Sequence, residues 1–372
     1  MKKDLLIKIL SCILSAFIIT SNTSISWVSA SNVINDEEFN ELGLLPAPDP
    51  GSDEYKEYLS QYTESSNYTE MPSSNVNLPT YCDLSETSYF PQIGSQIGGS
   101  CASWSTTYYQ FTYEANKLNN VNTKEHNETA YSPVYTFSFL NGGENVGSYN
   151  YEAYNFLKEH GALRLSDCSL DDNLYSWSTN TEAMIEALNT RVKNDYEATV
   201  NVLNASENLN EIKQLLYGTD GTDGKILAIN TTHFFGWKYK KAINPETNKS
   251  EWIATHSVET KVNDAHAMTV VGYNDNIWCD INDNGSVDDG ELGAFKVANS
   301  HGEGYRNSGY VWVAYDALNK NSLVDGWESE SEIRKPIFSH MTYNKNSFYW
   351  IEVENKEVEY VGQLTIDTDY RN

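Results

Sequence analysis

After Gly224 the hydrophobic pattern changes its period, and that change sets the class of fold. Before it, apolar residues recur at three- and four-residue intervals. Trp104, Tyr108, Phe111, Ala115 and Leu118 make one such stripe, Tyr151 to His160 a second that Gly161 stops, and residues 180–194 and 206–217 two more. Ser132-Pro133 opens a further short helix that ends at Gly142-Gly143. After Gly224 come short apolar runs of strand character: Lys225 to Asn230, Ser250 to Thr255, Ala267 to Tyr273, Gly293 to Ala298 and Tyr310 to Ala314. Helices first and strands second predict an α+β arrangement in two lobes, with a site in the cleft between them.

The flanks are of a different kind. Residues 1–30 read as a secretory signal: Lys2 and Lys3, a short apolar run from Ile9 to Thr20, then small residues at Val28-Ser29-Ala30. The run is too short for a membrane span, and the expected location is extracellular, free or at the cell surface. Residues 31–77 are polar and acidic, with Pro46, Pro48 and Pro50, and read as a pro-segment or linker. A short helix near 53–63 and no structure at all are both compatible with their composition. The compact domain, 78–336, begins at Leu78-Pro79. Residues 337–372 form short β-like runs, either a last hairpin on that domain or the start of an accessory one.

The net charge of −27, from 25 basic and 52 acidic residues in 372, argues against nucleic acid or an anionic membrane as the main partner. A monomer is expected.

The chemistry gathers at Gln96 to Ser105, QIGGSCASWS. Cys101 follows a Gly98-Gly99-Ser100 turn and opens the first helix. Unpaired backbone N–H groups at a helix start favour an anion, which pushes a thiol toward the nucleophilic thiolate. A lone cysteine is as often a small buried core residue. Gln96 offers an amide donor before the turn, suited to an oxyanion. A cysteine nucleophile needs a base and a group that orients the base. His266 begins the strand-like HAMTVVGY, and Asn299 ends AFKVANS before a turn-rich stretch.

Together these stretches resemble the papain-like cysteine peptidases, family C1, over about Leu78 to Ala314. The motifs are LPTYCDL, GGSCASW, HAMTVVGY and NSHGEGYRNSGYVWV, with Cys, His and Asn in the family's order. The resemblance implies the papain-like two-lobed fold, a helical lobe and an antiparallel β-barrel-like lobe. It implies Cys101 as nucleophile, His266 as base then acid, Asn299 as orienter and Gln96 as oxyanion donor. The activity implied is endopeptidase action on protein or peptide substrates through a thioester, with residues 31–77 blocking the cleft as in a zymogen. Gly147-Ser148 resembles the glycine-rich wall that holds substrate backbone, with Gly142-Gly143 as the rival placement. Four departures stand out. Gln96 lies one residue closer to the nucleophile than is usual. Ala102 replaces a tryptophan. Another tryptophan, which shields the Asn–His bond, is replaced by His301, a second histidine beside the base. Gly98 stands where a disulfide cysteine is usual.

Between His266 and Asn299 lies DINDNGSVDDGE, Asp280 to Glu291. It fills the ligand positions of an EF-hand calcium loop with Asp280, Asn282, Asn284, Ser286 (through its carbonyl), Asp288 and Glu291, with Gly285 at the sharp turn. The flanks are strand-like, so a structural calcium stapling the hairpin between base and orienter is expected. The loop, the odd Gln96 spacing, His301 and the β-rich tail also leave open a second class: a non-catalytic calcium-dependent adhesion or carbohydrate-binding protein on a peptidase-like scaffold.

Overall fold

The structure, a computed structural model, describes residues 7–8, 42–46, 48, 51–65, 67–68, 77–142, 144–171, 178–201, 208–260, 264–327, 333–338, 345–358 and 363–364. Apart from residues 7–8, the signal stretch lies outside the described residues.

The chain from Cys101 to Asn119 is one continuous helix in three parts, α-helical over Cys101–Ser103 and Thr112–Asn119 and π-helical over Trp104–Phe111. The periodicity predicts a two-faced surface helix. Instead the helix is buried on all sides from Cys101 to Asn116, and Leu118, expected in the stripe, is 50% exposed. Most of the polar residues on its remaining faces, Ser103 Oγ excepted, carry their own partners, which is what permits the burial. Ser105 donates to Met268 O (2.7 Å), and Gln110 donates to Ile226 O (3.0 Å) and Tyr349 O (2.7 Å) and accepts from Tyr154 (2.6 Å). Against it pack Pro133–Leu140, which has Ser132 as N-cap, and Asn150–His160, which Gly161 ends at φ 64.

The strands run Leu227–Thr231, Lys238–Asn244, Lys249–Val258, His266–Trp278, Leu292–Ala298 and Tyr310–Ala314; five overlap the expected runs, with 249–258, 266–278 and 292–298 longer than expected, and 238–244 was not anticipated. They pair in the order 249–258, 310–314, 292–298, 266–278, 227–231. The 310–314 and 249–258 pair is parallel, and the others in this series are antiparallel. Lys238–Asn244 lies along 249–258 and reaches 266–278 through Ile243 opposite Trp278.

Two stretches differ from the sequence reading. The helical spacing over 180–194 yields a helix only at Thr181–Ala187, and Thr190–Asn201 is a long strand. There the buried residues Val192, Ala198 and Val200, two of them β-branched, find partners across the sheet, and tertiary pairing overrides local spacing. Its partner is Lys345–Asn355, which lies between 190–201 and 227–231 in the same sheet. Part of the C-terminal segment is thus interior to the main sheet.

In the 31–77 segment, Asp53–Ser65 is a helix. Tyr58 on it is buried against Tyr149 and Tyr151 (ring centroids 4.9 and 6.0 Å). Asn67 and Tyr68 pair with Tyr196 and Glu197. No disulfide joins Cys82, Cys101, Cys168 or Cys279. Among the described residues no helix is long and apolar enough to cross a membrane.

Candidate active site

Each of the three expected groups stands at the end of a rigid element. Cys101 is the first residue of the buried helix, His266 the first of its strand, and Asn299 follows the last residue of the 292–298 strand. Strands 266–278 and 292–298 are neighbours, with Thr269 opposite Ala298. This register brings Asn299 Oδ1 to 2.8 Å from His266 Nε2. Asn299 is itself held by three bonds. Its N–H donates to Gly309 O (3.0 Å), its carbonyl accepts from Tyr109 (2.8 Å), and its Oδ1 also accepts from Ser300 N (2.8 Å). The other imidazole nitrogen, Nδ1, is buried with no hydrogen-bond partner. The thiol of Cys101 lies against the same strand, packed with Ala265 and Ala267 on either side of His266, and the backbone N–H groups of Ala267, Ala102, Cys101 and Leu44 around it favour the thiolate.

Leu44 belongs to the 31–77 segment, and sequence reasoning did not anticipate its place. Leu44 packs with Cys101, Ala102, Ala265 and Ala267 in one small apolar cluster. Residues 42–45 form a strap over the thiol. Ser148 N donates to Gly43 O (3.0 Å), Leu45 N donates to Ser148 O (3.3 Å), and Leu44 and Ser148 pair in parallel. Gly147 and Ser148 therefore lie against the backbone of this strap. Of the rival pair, a Cβ on Gly142 would meet nothing within 4 Å, and Gly143 lies outside the described residues. Three glycines make the approach possible. A Cβ on Gly43 would lie 2.0 Å from Gly99 O, and one on Gly147 2.2 Å from Gly43 O. The available signal was ELGLLP, an apolar run inside an acidic stretch.

Gln96 sits at the edge of the same strap. Its Oε1 accepts from Ser300 Oγ (2.6 Å), and its Nε2 donates to Leu42 O (3.2 Å) and Gly98 O (3.1 Å). The amide is thereby oriented with its N–H toward a carbonyl beside the helix start, despite the shortened spacing.

The electrostatics differ from the sequence expectation. Burial under the strap pushes the Cys101 thiol up to about 12, against the N–H donors that pull it down. Burial, then the neighbouring His301, takes His266 down to about 3, against the Asn299 bond that raises it. A helix start alone does not give a thiolate here, because the strap excludes the water that would solvate the charges. In this covered state both groups are neutral. Phe234 lies against both histidines, 4.7 Å from the His266 ring and 5.6 Å from that of His301, a contact that no motif announced.

The 280–291 loop is ordered around its own donors. Asp280 accepts from Asn284 N and Gly285 N (both 3.0 Å), and the amides of Asn282 and Asn284 meet at Asp288 Oδ2 (2.7 and 2.5 Å). Ser286 enters through its backbone, donating to Asn284 Oδ1 (2.7 Å). Glu291, 1% exposed, turns both oxygens to N–H groups: Oε1 to Ile281 (2.5 Å) and Asn282 (3.4 Å), and Oε2 to the Trp278 indole (3.0 Å) and Asp288 (3.2 Å). Among the described residues no group of three or more His, Cys, Asp or Glu side chains is set to hold a metal. The oxygen-rich set suits calcium in kind, and Glu291 faces the loop interior.

The sequence matches no protein-family model and no curated protein. Among solved structures, xylellain, a cysteine protease from Xylella fastidiosa, is similar with a TM-score of 0.50 at 16% identity, over 86% of this chain and 98% of that one. The two chains share a similar fold. Procathepsin B S9 from Trypanosoma congolense is also similar, at 14% identity and a TM-score of 0.48, over 79% of this chain and 84% of that one. Within this fold the Cys101 helix start and the Gln96 amide meet the strap at Leu42 to Leu45, and Ala265 and Ala267, which flank His266, pack in the same cluster as Leu44.

Proposed function

We propose that the chain is a secreted, monomeric cysteine endopeptidase of the papain-like C1 type, made as a zymogen, with Cys101, His266 and Asn299 as its catalytic residues. The observation that carries this reading is the convergence at the strap. Leu44 of the strap packs with Cys101 and with Ala265 and Ala267, the residues on either side of His266, while Gln96 Nε2 donates to a peptide carbonyl in front of the same helix start.

In the reaction, His266 takes the Cys101 proton and the thiolate attacks a substrate carbonyl carbon, forming a C–S bond. The carbonyl oxygen gains the electron pair and is held by Gln96 Nε2 and the Cys101 N–H. His266 then gives its proton to the leaving nitrogen as the C–N bond breaks. Water, deprotonated by His266, attacks the thioester, the C–S bond breaks, and the acid leaves with the thiol restored. Asn299 keeps the imidazole in the right tautomer and orientation throughout. Residues 42–45 occupy the cleft between a helical lobe and a barrel-like lobe, where substrate would lie along Gly147-Ser148, and removal of the 31–77 segment opens it.

The calcium reading is part of the same proposal. Asp280, Asn282, Asn284 and Asp288, the Ser286 carbonyl and Glu291 would hold the ion, with Glu291 exchanging N–H partners for it. The ion would supply structural crosslinking of the hairpin between base and orienter, and no proton or bond is moved through it.

Processed protein is treated with a thiol-directed epoxide and assayed on a quenched peptide library. The proposal expects stoichiometric labelling of Cys101 and loss of all cleavage. Absence of both labelling and cleavage in processed protein overturns it.

A further inference from the structure

His301 lies face to face with the proposed base. Its ring centroid is 5.0 Å from that of His266, with 29° between the planes. Phe234 packs against both rings, and Tyr305 meets His301 edge-on at 5.9 Å. The His301 backbone is fixed as well: it pairs with Ser95, and the next N–H, of Gly302, donates to Gly94 O (2.9 Å). His266 is fully buried while His301 is only partly so, and the gap between the rings is too small for bulk water to screen one from the other.

Two imidazolium ions at this distance repel strongly, so the proton resides on one ring or the other. We propose that His301 is a protonation-controlled positioning residue: only while its ring is neutral does His266 hold the proton it takes from Cys101. Its neutral face supports the imidazolium, and its charged form expels it. This rests on the peptidase reading above. The acid limit of activity is then set by His301, not by the Cys101 thiol.

The other titratable groups around the pair leave this assignment with His301. From the helix side comes the Cys101 thiol, the reaction partner itself, and next to Phe234 lies His233, whose Nδ1 bonds Thr260 Oγ1 (2.9 Å) and which burial keeps below the ordinary imidazole value. Tyr305 bonds through its hydroxyl to Tyr239 (3.2 Å), and burial pushes both phenols upward, so neither ionises in the relevant range. Arg306 lies over the Tyr239 ring at 3.7 Å and 5.8 Å from the Tyr305 ring, a constant positive charge. Asp264, just before the base strand, accepts from Phe235 N (2.7 Å) and Thr260 Oγ1 (2.8 Å), and burial raises its carboxyl.

The test compares processed wild type with His301→Phe, which keeps a stacked ring without a titrating nitrogen, and with His301→Gln. Two quantities are followed from about pH 4 to pH 9: the rate of Cys101 alkylation by iodoacetamide, and kcat/KM on a fluorogenic peptide. The inference expects the acid limb of both to move to lower pH by about one unit or more in each variant, with the alkaline limb unmoved. A uniform fall in rate at every pH, or an acid limb shared by wild type and variants, overturns the inference and leaves the peptidase standing. Wild-type Cys101 that alkylates no faster than a denatured thiol at any pH removes both.

Discussion

The Gln96 side-chain amide donates to the carbonyl oxygen of Leu42 at 3.2 Å, while Ser300 fixes its other end at 2.6 Å. The strap thus offers a carbonyl to the donor that the proposed reaction needs for its oxyanion. Replacing Gln96 by Ala is expected to lower kcat of processed protein by about 10²–10³-fold, with little change in KM, because the donor is used most in the transition state. Steady-state kinetics on one peptide checks it.

Gly43 has φ 82 and passes Gly99 so closely that a Cβ would lie 2.0 Å from its carbonyl oxygen. Gly43→Ala therefore strains the strap by about 1–3 kcal/mol. In the unprocessed chain, Cys101 is expected to alkylate about tenfold faster or more, while the melting temperature of the rest of the molecule holds. Equal labelling rates in wild type and variant would remove the strap from the account of latency.

Asn299→Ala leaves His266 Nε2 without its buried partner. The cost is about 1–3 kcal/mol, so kcat/KM is expected to fall roughly 10–100-fold through loss of imidazole orientation. Asn299→Gln, which returns an amide with one more methylene, is expected to recover less than a tenth of the loss by reason of its length. Parallel calorimetry separates the stability change from the rate change.

His266 is held neutral in the covered state, lowered to about 3 from the ordinary 6.5. Below pH 6.5 the unfolded or uncovered chain binds a proton that the covered chain refuses. The associated stability is therefore present above 6.5 and is lost as pH falls toward 3. Unprocessed wild type should melt at a lower temperature at pH 4.5 than at pH 7, and His266→Gln should narrow that gap. For Cys101, raised to about 12 by burial, the sense is opposite: its contribution is complete below the ordinary thiol value near 9 and is lost as pH climbs toward 12.

If the 280–291 loop binds calcium as proposed, a hundredfold excess over Kd stabilises the fold by about 2.7 kcal/mol, roughly 5 °C or more in melting temperature for a domain of this size. Chelation should reverse the shift, and Asp280→Ala should abolish it. An unchanged melting curve with and without calcium would reduce the loop to an acidic turn.

Five of the strands after Gly224 were legible because a continuous apolar run admits few other readings, while 238–244, which carries three lysines, was not; Cys101, His266 and Asn299 stood out as candidates because each sits at the end of a regular element. The 190–201 strand was not. Its alternation mixes charged and apolar residues, and its partner at 345–355 is distant in the chain, so no local window contains the pairing. The strap escaped for a similar reason. Leu42, Gly43 and Leu44 are unremarkable in their own acidic surroundings, and only the Gly99 and Gly147 backbones, brought alongside by the fold, give them meaning. The thiol's burial could not be inferred from its helix position, since that depends on what lies on top of it.

The insertion of Lys345–Asn355 between Thr190–Asn201 and Leu227–Thr231 has a consequence for biogenesis. During translation at about 5–20 residues per second, the 190–201 segment waits roughly 8–30 s for its hydrogen-bonding mate. Throughout that interval the nascent chain exposes an aggregation-prone edge on either side of the gap. A holding chaperone engaging it would find the molecule still open, and the activity proposed above would be deferred until synthesis is nearly finished.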